Sequence, residues 1–319
     1  MEDYPKTLLE FEKRFANEEA CQQYLFDLRW PDGFRCFRCG HYEAWPTSRG
    51  LYRCRHCDFQ TSVIAGTIFQ DTVKPLRLWF WAMWYVVSQK NGVSALGLQR
   101  VLGLGSYRTA WTWLHKLRTA MVRSGRDRLA GTVEIDETYM GGKRPGKRGR
   151  GARGKTLVVV AVEDKGEGFG RIRLRRVNDA SALNLIGAVR DCVEPGSMVR
   201  TDGWSGYSGL STNGYLHTVV RQDSDVGDNL LPLVNRVTAL LKRWIQGTHQ
   251  GAVHPSHLEY YLDEFTFRFN RRTSRSRGKL FYRLVQQAVA IRPVTGREIR
   301  GGRAHLTNPN ILGIRESSA

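Results

Sequence analysis

Apolar positions along this chain follow two regimes. In roughly the first 120 residues they recur at helical intervals on either side of a ribbon of short strands at 31–66, and beyond residue 131 short apolar runs alternate with helical stripes. Residues 1–30 read as two short helices. Thr7 and Glu10 have capping-box spacing, and Asn17 can cap the second helix. The longest apolar stretch, 76–87, contains Arg77 and is too short to span a bilayer. It is expected to be a buried helix with Pro75 at its first position. Its load of Trp79, Trp81, Trp84 and Tyr85 leaves a packed core or a base-stacking platform as readings. Residues 94–102, a glycine turn at 103–106 and residues 107–118 outline a helix-turn-helix. Arg108, Thr109, Thr112, His115 and Lys116 are its candidate groove-facing residues.

Strands are expected at 132–136, 157–162, 171–177 and 198–202, with a helix ending at Pro195-Gly196 before the last of them. Two further helices are expected at 233–246 and 256–270, and the final forty residues carry little periodicity. Strands followed by a helix and another strand imply a mixed sheet with helices packed on it. The fold class is therefore α/β of mixed α+β type. Four segments are expected: N-terminal helices and a metal ribbon (1–66), a helix-turn-helix-like segment (67–127), a mixed-sheet domain (128–285) and a basic tail (286–319).

Charge changes the picture next. Forty-nine Lys and Arg against 30 Asp and Glu give a formal charge of +19. Such an excess points to a polyanionic partner, because Lys and Arg on phosphates release counterions. The basic residues are clustered. The loop KRPGKRGRGARGK at 143–155 holds seven cations and four glycines, cannot bury apolar surface, and is expected to be mobile when free. Arg268, Arg271, Arg272, Arg275, Arg277 and Lys279 form a second cluster. The first residues, Met1-Glu2-Asp3-Tyr4-Pro5, are acidic and lack an apolar core, so no export signal and no membrane association are expected. A cytoplasmic, nucleoid-associated location fits reduced thiols.

Four of the six cysteines stand in two C-x-x-C pairs, Cys36/Cys39 and Cys54/Cys57, with fourteen residues between the pairs. Two knuckles of this kind complete a tetrahedral structural Zn²⁺ site, and the gap is one residue under the usual range. Four unrelated buried or redox cysteines is the rival reading. A unit this small needs the metal to fold. Cys21 and Cys192 are isolated and read as small core residues.

Asp136 and Asp202 each stand at the expected end of a strand. If the strands are neighbours, the two carboxylates converge, and hard oxygen ligands suit Mg²⁺ or Mn²⁺. Such ions can activate a water or a 3′-hydroxyl at a phosphodiester. Otherwise both acids merely begin loops.

The knuckles, EIDETYMGGK at 134–143, RTDGWSGY at 200–207, VNRVTALLKRWIQGTHQG at 234–251 and YLDEFTFRFNRR at 261–272 together resemble the ISXO-type bacterial insertion-sequence transposases. That resemblance implies a zinc ribbon and a ribonuclease-H-like DDE domain. It assigns the catalytic aspartates to Asp136 and Asp202, the third metal-site position to Asn235 and the family lysine to Lys242. Asn235 and Lys242 are seven residues apart and share a helix face, with small Thr238 between them. Asn235 brings an oxygen ligand without charge. Glu137 is ranked first as an assisting acid, before Asp223, Asp225, Asp228 and Glu259. His217 is a candidate supporting group, and Trp204 and Tyr207 either stack on a base or pack the following segment. The implied activity is metal-dependent cleavage and strand transfer. The implied partners are double-stranded DNA, as terminal inverted repeats and target, and a second copy of the chain or more. A decayed DNA-binding regulator and a structure-specific nuclease are the alternatives.

Overall fold

A computed structural model describes residues 2–123, 125–141, 155–220, 230–251 and 253–302. Most of the basic loop (143–154), Asp223, Asp225, Asp228 and the chain beyond 302 lie outside the described residues. The N-terminal elements are α1 (Leu8–Arg14), α2 (Glu18–Arg29), β1 (Ala44–Pro46), β2 (Tyr52–Cys54), β3 (Gln60–Thr61), α3 (Leu76–Ser88), α4 (Ala95–Leu102) and α5 (Tyr107–Ala120). There follow β4 (Thr132–Met140), β5 (Thr156–Asp164), β6 (Phe169–Val177), α6 (Ala182–Cys192), β7 (Met198–Thr201) and β8 (Leu216–Val219). The last helices are α7 (Pro232–His249), α8 (Leu258–Asn270), α9 (Arg277–Ala290) and α10 (Gly296–Gly301). No helix among the described residues is long and apolar enough to cross a membrane.

The chain forms two compact units. One comprises Met1–Arg126 and Asp263–Gly296, the other Asp127–Leu262 and the chain from Arg297. This division differs from the linear one read from the sequence, because α9 returns to the N-terminal helices. Leu280, Phe281, Leu284, Val285, Ala288 and Val289 of α9 are all buried in the first unit. Their three- and four-residue spacing is a helical stripe in a stretch expected to be largely without periodicity.

The first unit follows its local signals closely. Thr7 Oγ1 accepts the Glu10 amide at 3.1 Å and Asn17 Oδ1 accepts the Ala20 amide at 2.9 Å. Pro75 is the N-cap of α3 rather than its first residue, and Glu18 carries the cap by accepting the Leu76 amide at 2.8 Å. The aromatic load of α3 is core. Trp79 is buried and stacks on Trp113 with ring centroids 3.8 Å apart. Helices α4 and α5 form the expected hairpin, with Ser94 and Ser106 as N-caps and Gly103 in the left-handed conformation. Its groove-facing list needs correction. His115 is fully buried, and Lys116 Nζ donates to Ile68 O at 3.1 Å, whereas Arg108 is exposed. Part of the second basic cluster also turns inward. Arg268 pairs with buried Glu264 at 2.7 Å, and Glu264 in turn holds buried Arg118 at 2.8 Å.

The second unit is built on a five-stranded sheet in the order β6-β5-β4-β7-β8. Strands β4, β5 and β6 pair antiparallel, while β7 runs parallel to both β4 and β8. This is the mixed, ribonuclease-H-like sheet. Alternation assigns the two faces of the sheet. Val133 and Ile135 of β4 join Leu157, Val159 and Ala161 of β5 under Leu185 and Val189 of α6. Glu134, Asp136 and Thr138 point to the opposite face, which α7 covers.

Candidate active site and zinc centre

The two C-x-x-C pairs fold alike. In each, the residue after the second cysteine donates back to the first cysteine's carbonyl: Gly40 N to Cys36 O at 2.9 Å, Asp58 N to Cys54 O at 3.1 Å. Both residues are left-handed, Gly40 at φ 75° and Asp58 at φ 57°, and this turn brings both thiols of a knuckle to one side. The four Sγ atoms lie within 4.8 Å of one another. Cys36–Cys57 and Cys39–Cys54 are 3.6 Å apart. Tetrahedral Zn–S bonds of about 2.3 Å require S···S distances near 3.8 Å, so Cys36, Cys39, Cys54 and Cys57 fit a structural Zn²⁺. Phe26, Trp30 and Phe34 pack on Tyr52 of the ribbon, which docks it on α2.

The acids expected to share a second site come from neighbouring strands. The parallel register pairs Thr132 with Met198, Val133 with Val199 and Glu134 with Arg200. Asp136 lies two residues beyond the last of these pairs on β4 and Asp202 two beyond it on β7, and both acids raise the pKa of the Tyr207 hydroxyl. Asp136 lies within β4, four residues before its end, because β4 runs on to Met140; the expectation that it ends a strand is corrected. Asp202 does stand one residue past β7. Each carboxylate is held by an amide that follows it. Glu137 N donates to Asp136 Oδ1 at 2.8 Å, and Trp204 N donates to Asp202 Oδ1 at 2.9 Å. Gly203 between them has φ 81°, and a Cβ there would stand 2.5 Å from Val219 Cγ1. The turn after Asp202 thus needs glycine for both conformation and space.

Helix α7 lies over the Asp136 face. Asn235 is in its first turn and Lys242 two turns on, and both are exposed. Partial burial lowers the Lys242 pKa, nearby Lys155 lowers it further, and Asp136 raises it. The ammonium is therefore within electrostatic reach of the Asp136 carboxylate.

The supporting residues separate clearly. Tyr207 is fully buried and its hydroxyl donates to Glu137 Oε2 at 2.9 Å, so it packs behind the site rather than stacking on a base. Trp204 Nε1 donates to Ala180 O at 3.0 Å. His217 Nε2 lies 2.8 Å from Thr201 Oγ1, which also accepts the Gly203 amide. His217 thereby braces the turn that carries Asp202. Glu259 lies near Arg175 of the edge strand β6. One residue escaped the sequence reading. Glu134, 3% exposed, accepts the amides of Leu233 and Val234. Its signal was a second acid on the Asp136 face of the strand, two residues before Asp136.

The chain is similar to known proteins in two segments. Residues 128–270 match the ISXO2-like transposase domain, and residues 16–60 match the transposase zinc-ribbon domain. A relative from Halobacterium salinarum, described as an uncharacterized protein in transposable element ISH50, is 26% identical over 293 residues. That alignment covers 84% of this chain and 95% of the relative. The two domain matches are ordered, belong to one kind of mobile element and together span more than half of the chain. With its four-cysteine ribbon and mixed sheet, this chain is similar to the insertion-sequence transposases in two segments: the ISXO2-like transposase domain over 128–270 and the transposase zinc ribbon over 16–60.

Proposed function

We propose that the protein is an active DNA transposase that binds the terminal inverted repeats of its element, cuts at their ends and joins the freed 3′-hydroxyls to target DNA. The observation that supports this reading is that Asp136 and Asp202 come from neighbouring parallel strands and that the helix bearing Asn235 and Lys242 lies over the Asp136 face. Two carboxylates and an amide oxygen are hard donors, a set that suits Mg²⁺ or Mn²⁺. When bound, such ions supply Lewis-acid stabilisation of the attacking and leaving oxygens. Asp136 and Asp202 hold the charged side of that set, and Asn235 contributes its amide oxygen. Lys242 neutralises a phosphate next to the scissile one and keeps it in line. The amides behind each aspartate keep the carboxylates from rotating as the DNA enters.

The zinc ribbon and the α4–α5 hairpin are assigned to repeat binding, and the segment 143–155 to clamping DNA. Because transposition joins two ends, the working form is a dimer or larger on DNA, in the cytoplasm at the nucleoid. A second reading, a regulator that binds without cutting, is favoured by one observation: Asn235 leaves the metal set with two formal negative charges.

The test is a cleavage and strand-transfer assay on the ends of the surrounding element. It compares wild type, Asp136→Asn, Asp202→Asn and Asn235→Glu in Mg²⁺ and in Mn²⁺. Nicking and joining lost in both aspartate variants support the transposase. Repeat binding without cleavage by wild type, with cleavage appearing in Asn235→Glu, supports the regulator. Cleavage of branched DNA without joining supports a nuclease.

A further inference from the structure

Helix α7 has an unusual beginning. Its N-cap, Leu231, makes no side-chain capping bond, and its first residue, Pro232, has no amide hydrogen. The donors left over in the first turn are the amides of Leu233 and Val234. Both go to one atom outside the helix, Glu134 Oε2, at 2.9 and 3.0 Å. That carboxylate belongs to β4, points to the same face as Asp136 and is buried. Its neighbour in the sheet register, Arg200, pairs instead with Asp164 at 3.1 Å. Burial holds the Glu134 pKa above its ordinary value, and the Val234 and Leu233 amides offset that only in part.

We infer that Glu134 is a positioning residue that pins the first turn of α7 to β4 and so sets Asn235 at its height beside Asp136. The chain of contacts is short. Asn235 follows Val234 directly, and its own amide is committed to Leu231 O at 2.9 Å. Asp136 is two residues along the strand from Glu134. One side chain therefore joins the strand carrying one site residue to the turn carrying the other. The inference rests on the proposed metal site, but not on that site being able to cut DNA.

Two variants of the zinc-loaded full-length protein separate reach from charge. Glu134→Gln keeps the reach and an acceptor oxygen but loses the charge. Glu134→Asp keeps the charge but is one methylene short. Three readouts are taken: Mn²⁺ affinity by paramagnetic resonance, with Asp136→Asn as the reference for the site; hydrogen exchange of the Leu233 and Val234 amides; and the melting temperature. Expected for Glu134→Gln are near-wild-type Mn²⁺ affinity and amide protection. Expected for Glu134→Asp are weaker Mn²⁺ binding by at least about tenfold, the scale of losing a group that orients a ligand, and loss of protection in the first turn. A Glu134→Gln variant as impaired as Glu134→Asp overturns the inference, since charge would then be the cause. A Glu134→Asp variant that melts lower but binds Mn²⁺ like wild type also overturns it, leaving Glu134 as a stabilising contact only. If wild type binds Mn²⁺ but never cuts, the transposase reading fails while the comparison stands. If wild type binds no Mn²⁺, the metal site on which the inference rests is absent and the inference falls with it.

Discussion

Tyr207 donates its hydroxyl to Glu137 Oε2 at 2.9 Å from a ring that solvent does not reach. Burial first, and then the charge of Glu137, push the Tyr207 hydroxyl well above its ordinary pKa, so it remains a donor. Asp136 and Asp202 also raise it, which puts this hydroxyl among the three acids. Tyr207→Phe keeps the ring and removes the bond. It is expected to cost about 1–2 kcal/mol in urea unfolding. An unchanged midpoint would show that Glu137 finds an equivalent partner.

The zinc centre makes a prediction about local stability. One zinc per chain is expected by elemental analysis. Chelation or Cys54→Ser should remove exchange protection across 31–61, because the ribbon strands are only two or three residues long and cannot hold together without the metal. The β4–β8 sheet belongs to the other unit and should keep its protection. Loss of protection in both units at once would contradict this.

Lys242 should act on DNA rather than on folding. It is exposed on α7, so Lys242→Ala should change stability by less than about 0.5 kcal/mol. If it holds one phosphate, the slope of log K against log salt should become shallower by about 0.9. Fluorescence anisotropy at several salt concentrations measures this, and an unchanged slope removes Lys242 from the interface.

Two residues in the α4–α5 hairpin should respond in opposite ways. Arg108→Ala is expected to weaken repeat binding and leave the melting temperature alone. Lys116→Ala loses the bond to Ile68 O and the approach of Nζ to the Trp79 ring. It should destabilise by about 1–2 kcal/mol and leave the repeat affinity of the folded protein unchanged. Reversed outcomes would turn the other face of α5 toward DNA.

Glu163 carries an acid-sensitive contribution. Burial raises its pKa, but Arg171, through its side chain and its amide, outweighs that and holds the carboxyl below its usual range. The bonds are 2.8 Å from Arg171 Nη2 and 3.0 Å from Arg171 N. With a depressed folded pKa, the contribution is present above the unfolded value of about 4.3 and lost as pH falls through the folded one. Urea midpoints from pH 7 to pH 3 should fall less steeply in Glu163→Gln than in wild type, and parallel curves would refute the assignment.

Much of this protein was readable in the chain because the signal and its effect lie within a few residues of each other. A cysteine knuckle, the Thr7 and Asn17 caps and the glycine turn between α4 and α5 are local geometry. Asp136 and Asp202 were singled out by the strings around them, and the structure puts one on β4 and the other just past its neighbour β7. What the tertiary structure decided is non-local. β4 runs on past Asp136 because β5 pairs with it as far as Met140. β8 carries no alternation of its own and exists as an edge partner of β7. His115 lies on the inner side of α5, and Phe281 belongs to a core formed by helices some two hundred residues earlier in the sequence. Glu134 is the sharpest case: an acid inside a strand has no visible purpose until α7, about a hundred residues on, presents two amides that have no other partner. Burial leaves such groups only each other, and which groups meet is set by packing rather than by sequence neighbours.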